Sequence, residues 1–337
     1  LDIPTPGDSP NGSPSKNDWV NQHFQTCIKS KPAPLYKAAF ALRIKTGNFE
    51  DDLPKIKDCD WIIEAVIEQL DIKRSLFEKV ELFRTQGTWI TSNTSGIPIH
   101  LLAEGRSEDF QKHFLGTHFF NPPRYLKLLE LIPTASTDPS AIDFFTHIGE
   151  DILGKRVVVC KDTPAFIANR IGVFAMASIY KKASEMGMPI STVDKLTGPS
   201  LARPNTGTFR LGDLVGHDTA AKVMQGIKAN CPNDERSELY QILPFYQFLL
   251  DNKFLGNKSG QGFYKKTKDA KGKSVKLVLD YNTMEYVSFE KPKYASISDA
   301  KKVPGDIGAK IKAVFNGKDD AAEFVREFLC NDFIYAA

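Results

Sequence analysis

The sequence predicts an α/β chain in two parts, with a doubly wound, mainly parallel sheet followed by an all-α domain. Three observations predict it. Short apolar runs alternate with amphipathic helical stretches as far as Cys160. From Asp162 to Leu255 strands vanish and helical periodicity takes over. The 337 residues, 42% hydrophobic and 25% charged, are too many for one ordinary domain and enough to bury a sizeable core.

Leu1-Asp2-Ile3 reads as the tail of a strand, followed by a Pro/Gly/Ser/Asn loop from Pro4 to Pro14. With no initiator Met and no signal-peptide pattern, further natural residues are expected before Leu1. Asp60–Val66 suits a buried parallel strand. Lys73–Phe83 carries Leu76, Phe77, Val80 and Phe83 at helical spacing. A strand at Thr88–Ser92, a helix at Ile97–Glu104, strands at Phe114–Phe120 and Leu126–Ile132, a helix at Ala141–Ile152 and a strand at Val157–Cys160 continue the alternation. This order implies a parallel sheet with an antiparallel edge.

Asp162-Thr163-Pro164 reads as a helix start, with an Asp or Thr cap and Pro in the first turn, so a boundary is expected near residue 161. Helices follow at Phe166–Ser184, Ser191–Leu196, Thr219–Asn230 and Leu239–Asn252, and Gly256–Gly262 closes that part. Lys276–Leu279 and Tyr286–Phe289 then flank Asp280-Tyr-Asn-Thr as a hairpin. Asp319–Leu329 is a final helix whose partners are expected beyond Ala337. The expected domains are 1–161, 162–264 and 265–337.

Lys plus Arg number 44 against 41 Asp plus Glu, a net charge of +3. No basic stretch interleaves with aromatics, which makes nucleic acid and anionic membranes weak candidates, whereas a small anionic substrate fits. Cys27, Cys59, Cys160, Cys231 and Cys330 are scattered, which speaks against a disulfide scaffold or structural zinc and for a reducing, cytoplasmic setting. No apolar run approaches the roughly 18 residues of a membrane span.

A dinucleotide fold needs a Gly-rich turn and an acidic residue about 20 positions further on. The chain contains no GxGxxG, yet Asp2 falls at a strand end where that acid would sit. Taken alone, an Asp at a strand end is more often a solvated turn residue. His118, within Thr117-His-Phe-Phe-Asn-Pro122, is followed twelve residues later by Glu130, a spacing that fits two adjacent strands joined by a short turn. A carboxylate on one ring nitrogen would fix the tautomer of a general base, although a histidine satisfied within a sheet is the commoner case. Ser92-Asn-Thr-Ser-Gly96 follows a strand, at the sheet edge where open α/β sheets bind ligands, or it is an ordinary helix-capping turn.

Five stretches taken together resemble the 3-hydroxyacyl-CoA dehydrogenase family of fatty-acid β-oxidation: Trp61–Glu68, Ser92–Ser95, Gly116–Pro122, Asp162–Arg170 and Lys258–Tyr264. They occur in the family's order over residues 1–264, while 265–337 look like the continuation found in longer bacterial multifunctional members. The resemblance implies an incomplete Rossmann-like sheet, NAD as cofactor and an acyl-CoA substrate. His118 matches the general base and Glu130 its carboxylate partner. Ser95 matches the serine near the nicotinamide and the substrate hydroxyl, and Asn169 an asparagine that holds the substrate. Asp2 matches the ribose-binding acid, and Glu68, Lys73, Asn121 and Lys258 match cofactor-contacting positions. Ser30 and Lys37 sit where a CoA-contacting Ser and Lys occur.

The resemblance further implies a downstream enoyl-CoA hydratase/isomerase-like domain. It also implies a helical surface that either pairs two subunits or packs on a second helical region of the same chain. The absent Gly turn leaves one rival of another class, a non-catalytic structural portion of a larger β-oxidation polypeptide. A β-hydroxyacid or sugar-acid dehydrogenase of the same plan typically uses a catalytic lysine, against which His118 and Glu130 speak.

Overall fold

Five short strands, β1 (Trp61–Glu64), β2 (Trp89–Ser92), β3 (Phe114–Phe119), β4 (Leu128–Pro133) and β5 (Arg156–Val159), lie side by side in chain order. The computed structural model describes residues 1–6, 15–201, 203–289, 293–304 and 306–337. It divides into two units, Leu1–Phe166 and Ile167–Ala337.

Side chains alternate across the sheet and feed two cores. Ile90, Phe114 and Ile132 pack on one face with residues of α2 (Leu70–Phe83), α3 (Ile99–Ala103) and α4 (Glu108–Lys112); α1 (Asp18–Ile28) lies earlier in this unit. Leu115, Leu129 and Leu131 pack on the other face with Ala141 and Phe145 of α5 (Ser140–His147), whose C-terminal end runs into a π turn, Ile148–Ile152. Neighbouring strands run parallel except β3 and β4. The antiparallel pair is therefore internal, where the sequence pattern places it at an edge. The cause is the short turn at 120–127, which returns β4 beside β3 and leaves β5 to pair with it in parallel. Asp2 pairs in a single parallel bridge with Asn48.

Asp162 does not start a helix. Its carboxylate accepts the amides of Ile99 at 2.6 Å and His100 at 2.8 Å, capping α3, for which Pro98 offers no side-chain acceptor. Ala165 and Phe166 take positive φ values of 63° and 52°, and burial of the Phe166 ring in the first core holds that conformation.

The second unit opens with α6 (Ala168–Glu185), α7 (Ile190–Leu196), α8 (Gly207–Val215), α9 (His217–Asn230) and α10 (Pro244–Asp251). The single helix expected over 239–252 is split, because Pro244 suits a first turn and not an interior. This unit is not purely helical either. The hairpin gains a third strand, so that β6 (Tyr264–Lys268), β7 (Ser274–Leu279) and β8 (Tyr286–Ser288) form an antiparallel sheet. α11 (Ala295–Lys302), α12 (Ile307–Phe315) and α13 (Asp320–Ala336) complete it. α13 packs on α6: the Tyr335 ring stacks on Phe174 at 3.8 Å, its hydroxyl meets Arg170 at 2.7 Å, and Glu327 pairs with Lys182.

The Lys258–Tyr264 motif is held from beneath by Asp213 of α8, whose carboxylate accepts the Phe263 and Tyr264 amides at 2.7 and 3.1 Å. A Cβ at Gly262 would stand 2.1 Å from the Asp213 carboxylate, so only glycine admits this approach.

Asp194 of α7 accepts the Tyr264 hydroxyl at 2.6 Å and the Phe209 amide at 2.6 Å. Burial pushes its carboxyl up to about 7 in spite of these donors. The folded protein thus holds this proton more tightly than the unfolded chain, so the group's contribution to stability declines as pH rises from about 4 to about 7. Relative to Asp194→Asn, the native protein is expected to lose thermal stability across that window. Parallel Tm curves for the two proteins would contradict this.

Candidate active site

The antiparallel register of β3 and β4 sets His118 directly opposite Glu130. His118 Nδ1 lies 2.7 Å from Glu130 Oε2, and both side chains are almost fully buried, at 5% and 1% exposure. A carboxylate can only accept, so Nδ1 carries the proton and Nε2 is the basic nitrogen. The rings of Phe120 and Phe166 flank the imidazole at 4.4 and 5.7 Å. Asn93, just after β2, accepts the amide of Phe119 at 2.9 Å and ties the neighbouring strand end to β3 beside His118.

A second polar group lies at the carboxyl ends of β1 and β2, and it is built on Glu64. This buried carboxylate accepts Lys73 Nζ at 2.7 Å, the Val66 amide at 2.6 Å and the Ser92 hydroxyl. Lys73, 1% exposed, also reaches Glu68 at 3.2 Å. Glu68 in turn accepts the Thr94 hydroxyl and, at 2.9 Å, the Ser95 amide. Glu68, Lys73 and the Ser95 backbone thus belong to one network. Its hub, Glu64, has no role of its own in the sequence reading, and Asn93 and Thr94 enter there only as members of the Ser92–Gly96 cluster. An acidic residue inside the apolar run 61–66 is the signal that points to Glu64.

The other expected site residues stand as follows. Asp2 has its carboxylate 3.3 Å from His23 Nδ1. Asn121 is exposed, just past β3 and ahead of a cis bond to Pro122. Ser30 is exposed after α1, and Lys37 is exposed at the start of a 3-10 turn over Ala38–Arg43. Asn169 and Lys258 belong to the second unit. Asn169 is half-buried in the first turn of α6, and Lys258 is exposed and paired with Asp218.

A mainly parallel sheet with polar residues at its carboxyl edge and a buried histidine–carboxylate pair one strand away defines the class: a nucleotide-binding α/β protein equipped for proton transfer. Residues 17–163 match the family model described as 3-hydroxyacyl-CoA dehydrogenase, NAD binding domain. Residues 166–266 match that described as 3-hydroxyacyl-CoA dehydrogenase, C-terminal domain. The chain belongs to the 3-hydroxyacyl-CoA dehydrogenase family, and its first unit carries that family's NAD-binding domain.

Among its relatives is a probable 3-hydroxyacyl-CoA dehydrogenase of Bacillus subtilis, 43% identical over 94% of this chain and 39% of the relative. Another is a putative fatty acid oxidation complex trifunctional enzyme of Rickettsia felis, 37% identical over 83% of this chain and 39% of the relative. The chain thus spans about two fifths of the length of these two relatives. The solved structure of (S)-3-hydroxybutyryl-CoA dehydrogenase from Ralstonia eutropha superposes with a TM-score of 0.61 at 26% identity, covering 72% of this chain and 83% of that one. Among the described residues no helix is long and apolar enough to cross a membrane.

Proposed function

We propose that the protein containing this chain oxidises an L-3-hydroxyacyl-CoA to the 3-oxoacyl-CoA with NAD, within fatty-acid breakdown in the cytoplasm. The observation that carries the proposal is the buried His118–Glu130 pair at 2.7 Å. With Nδ1 donating to Glu130, Nε2 takes the proton of the substrate's 3-hydroxyl. Glu130 stabilises the imidazolium that results and keeps the ring oriented. NAD, when bound, supplies the acceptor for the hydride that leaves C3. Ser95 in the first unit and Asn169 in the second are the further candidates for meeting the substrate.

The residues at the carboxyl edge fit that cofactor. Glu68 and the exposed Ser95 form a polar shelf fixed from behind by the buried Lys73 and Glu64, as a ligand-bearing sheet edge requires. Lys73 acts through Glu68, and Asp2, Asn121 and Lys258 are the remaining candidates for holding NAD. A carboxylate at Asp2 favours NAD over NADP by repelling a 2′-phosphate. Ser30 and Lys37 are the candidates for meeting CoA.

A downstream enoyl-CoA hydratase/isomerase-like domain in the same polypeptide is part of this proposal, a reading supported by the trifunctional name of the Rickettsia felis relative. The face of α6 that could pair two subunits is occupied by α13 of the same chain, which favours internal packing over a homodimer through that face.

The test is a rate assay of the full-length protein on L-3-hydroxyacyl-CoA with NAD and with NADP. One reduced nicotinamide per 3-oxoacyl-CoA, with NAD preferred, supports the proposal; no turnover with either cofactor overturns it. In the same assay Glu130→Gln is expected to lower kcat by on the order of tenfold or more with an unchanged fold, because an amide stabilises an imidazolium less than a carboxylate does. An unchanged kcat would show that the pair does not act together.

A further inference from the structure

The turn between β3 and β4 reaches across the first unit to the segment between α1 and the 3-10 turn. Arg124 Nη1 donates to the carbonyl oxygens of Ala33 at 2.8 Å and Leu35 at 2.7 Å. Its guanidinium lies 4.2 Å from the Tyr36 ring centre and 5.1 Å from that of Tyr125. The Tyr125 hydroxyl adds a third bond, to the Ala33 carbonyl at 3.0 Å. The turn is anchored from its other side by Lys155, which donates to the carbonyls of Pro123 and Leu126. Segment 33–36 is therefore clamped to the turn that leaves the strand of His118.

The charge of this segment is one-sided. Between Trp19 and Phe49 there are five cations, Lys29, Lys31, Lys37, Arg43 and Lys45, and no Asp or Glu. Arg124 adds a further cation to it. Among the described residues its hydrogen bonds go to neutral carbonyls and its face to tyrosine rings, with no carboxylate paired to it, so the segment is suited to a polyanion. Ser30 and Lys37 bracket the clamped residues.

We propose that Arg124 is a positioning residue for the phosphorylated nucleotide end of the substrate: it fixes residues 33–36 so that Ser30 and Lys37 meet a CoA thioester in one arrangement. This rests on the reading of Ser30 and Lys37 given above. The clamp acts on binding of the CoA handle and leaves the chemistry at C3 to His118.

The full-length protein is assayed with one 3-hydroxyacyl group carried either on CoA or on pantetheine, which lacks the phosphorylated nucleotide. Arg124→Ala is expected to raise KM for the CoA thioester about tenfold, since two charge-assisted bonds and their ordering are lost. Its kcat is expected to stay within about twofold of wild type, and KM for the pantetheine thioester to stay unchanged, the pattern of a lost uniform-binding interaction. Arg124→Lys, which keeps the charge and a donor nitrogen but not the planar guanidinium, is expected to recover part of the loss. Lys37→Ala, run in parallel, separates the two readings. If Lys37→Ala raises KM for the CoA thioester alone and Arg124→Ala does not, the clamp is overturned while the CoA contact stands. If neither variant distinguishes the two thioesters, the CoA contact fails and the clamp falls with it. A loss equal on both thioesters marks Arg124 as merely structural and overturns the proposal.

Discussion

His118→Gln in the full-length protein is expected to lower kcat by about 10²–10⁴-fold while NADH binding stays close to wild type. Glutamine occupies a similar volume and can still donate to Glu130, so the β3–β4 register and the flanking Phe120 and Phe166 contacts have no reason to change. It cannot accept a proton at neutral pH. Only the proton transfer is lost, and the effect falls on turnover. Steady-state kinetics together with fluorescence titration of NADH make the distinction. Turnover of the same order as wild type would remove His118 from its role; an equal loss of NADH affinity would show that the substitution disturbs the nucleotide edge instead.

Lys73→Met is expected to destabilise the first unit by about 3–5 kcal/mol. Methionine preserves the apolar stem but leaves Glu64 as a carboxylate in the interior, with the Val66 amide and the Ser92 hydroxyl as partners and no cation. Removing one partner of a buried pair costs more than the pair itself contributes, because the remaining charge is neither solvated nor neutralised. Urea unfolding measures the loss. The double variant Lys73→Met/Glu64→Leu should recover part of it by removing the stranded charge. A single variant within about 0.5 kcal/mol of wild type, the range of ordinary surface substitutions, would show that water reaches Glu64.

The features legible in the sequence are those set by neighbours in the chain. Strand alternation, helix periodicity and the twelve-residue step from His118 to Glu130 are all local, and a short antiparallel turn converts that step into a cross-strand pair. Features that depend on distant partners were hidden. Asp162 reads as the cap of its own helix, yet it caps α3 more than sixty residues earlier, because the chain folds back beside Pro98. β6 carries Lys265, Lys266 and Lys268, an unpromising strand composition, and it forms because β7 offers its edge. Glu64 looks like a stray acid in an apolar run until α2 brings Lys73 against it. The contacts of Arg124 span about ninety positions and leave no local pattern at all.

The chemistry itself is tested most directly by isotope transfer. The full-length protein is incubated with NAD and an L-3-hydroxyacyl-CoA deuterated at C3, and the reduced nicotinamide is analysed by mass spectrometry. The expected result is one deuterium in each reduced nicotinamide formed, in step with 3-oxoacyl-CoA, and formation of both products falling together in His118→Gln. Unlabelled reduced nicotinamide, or 3-oxoacyl-CoA formed without it, would contradict hydride departure from C3 under the control of His118 and Glu130.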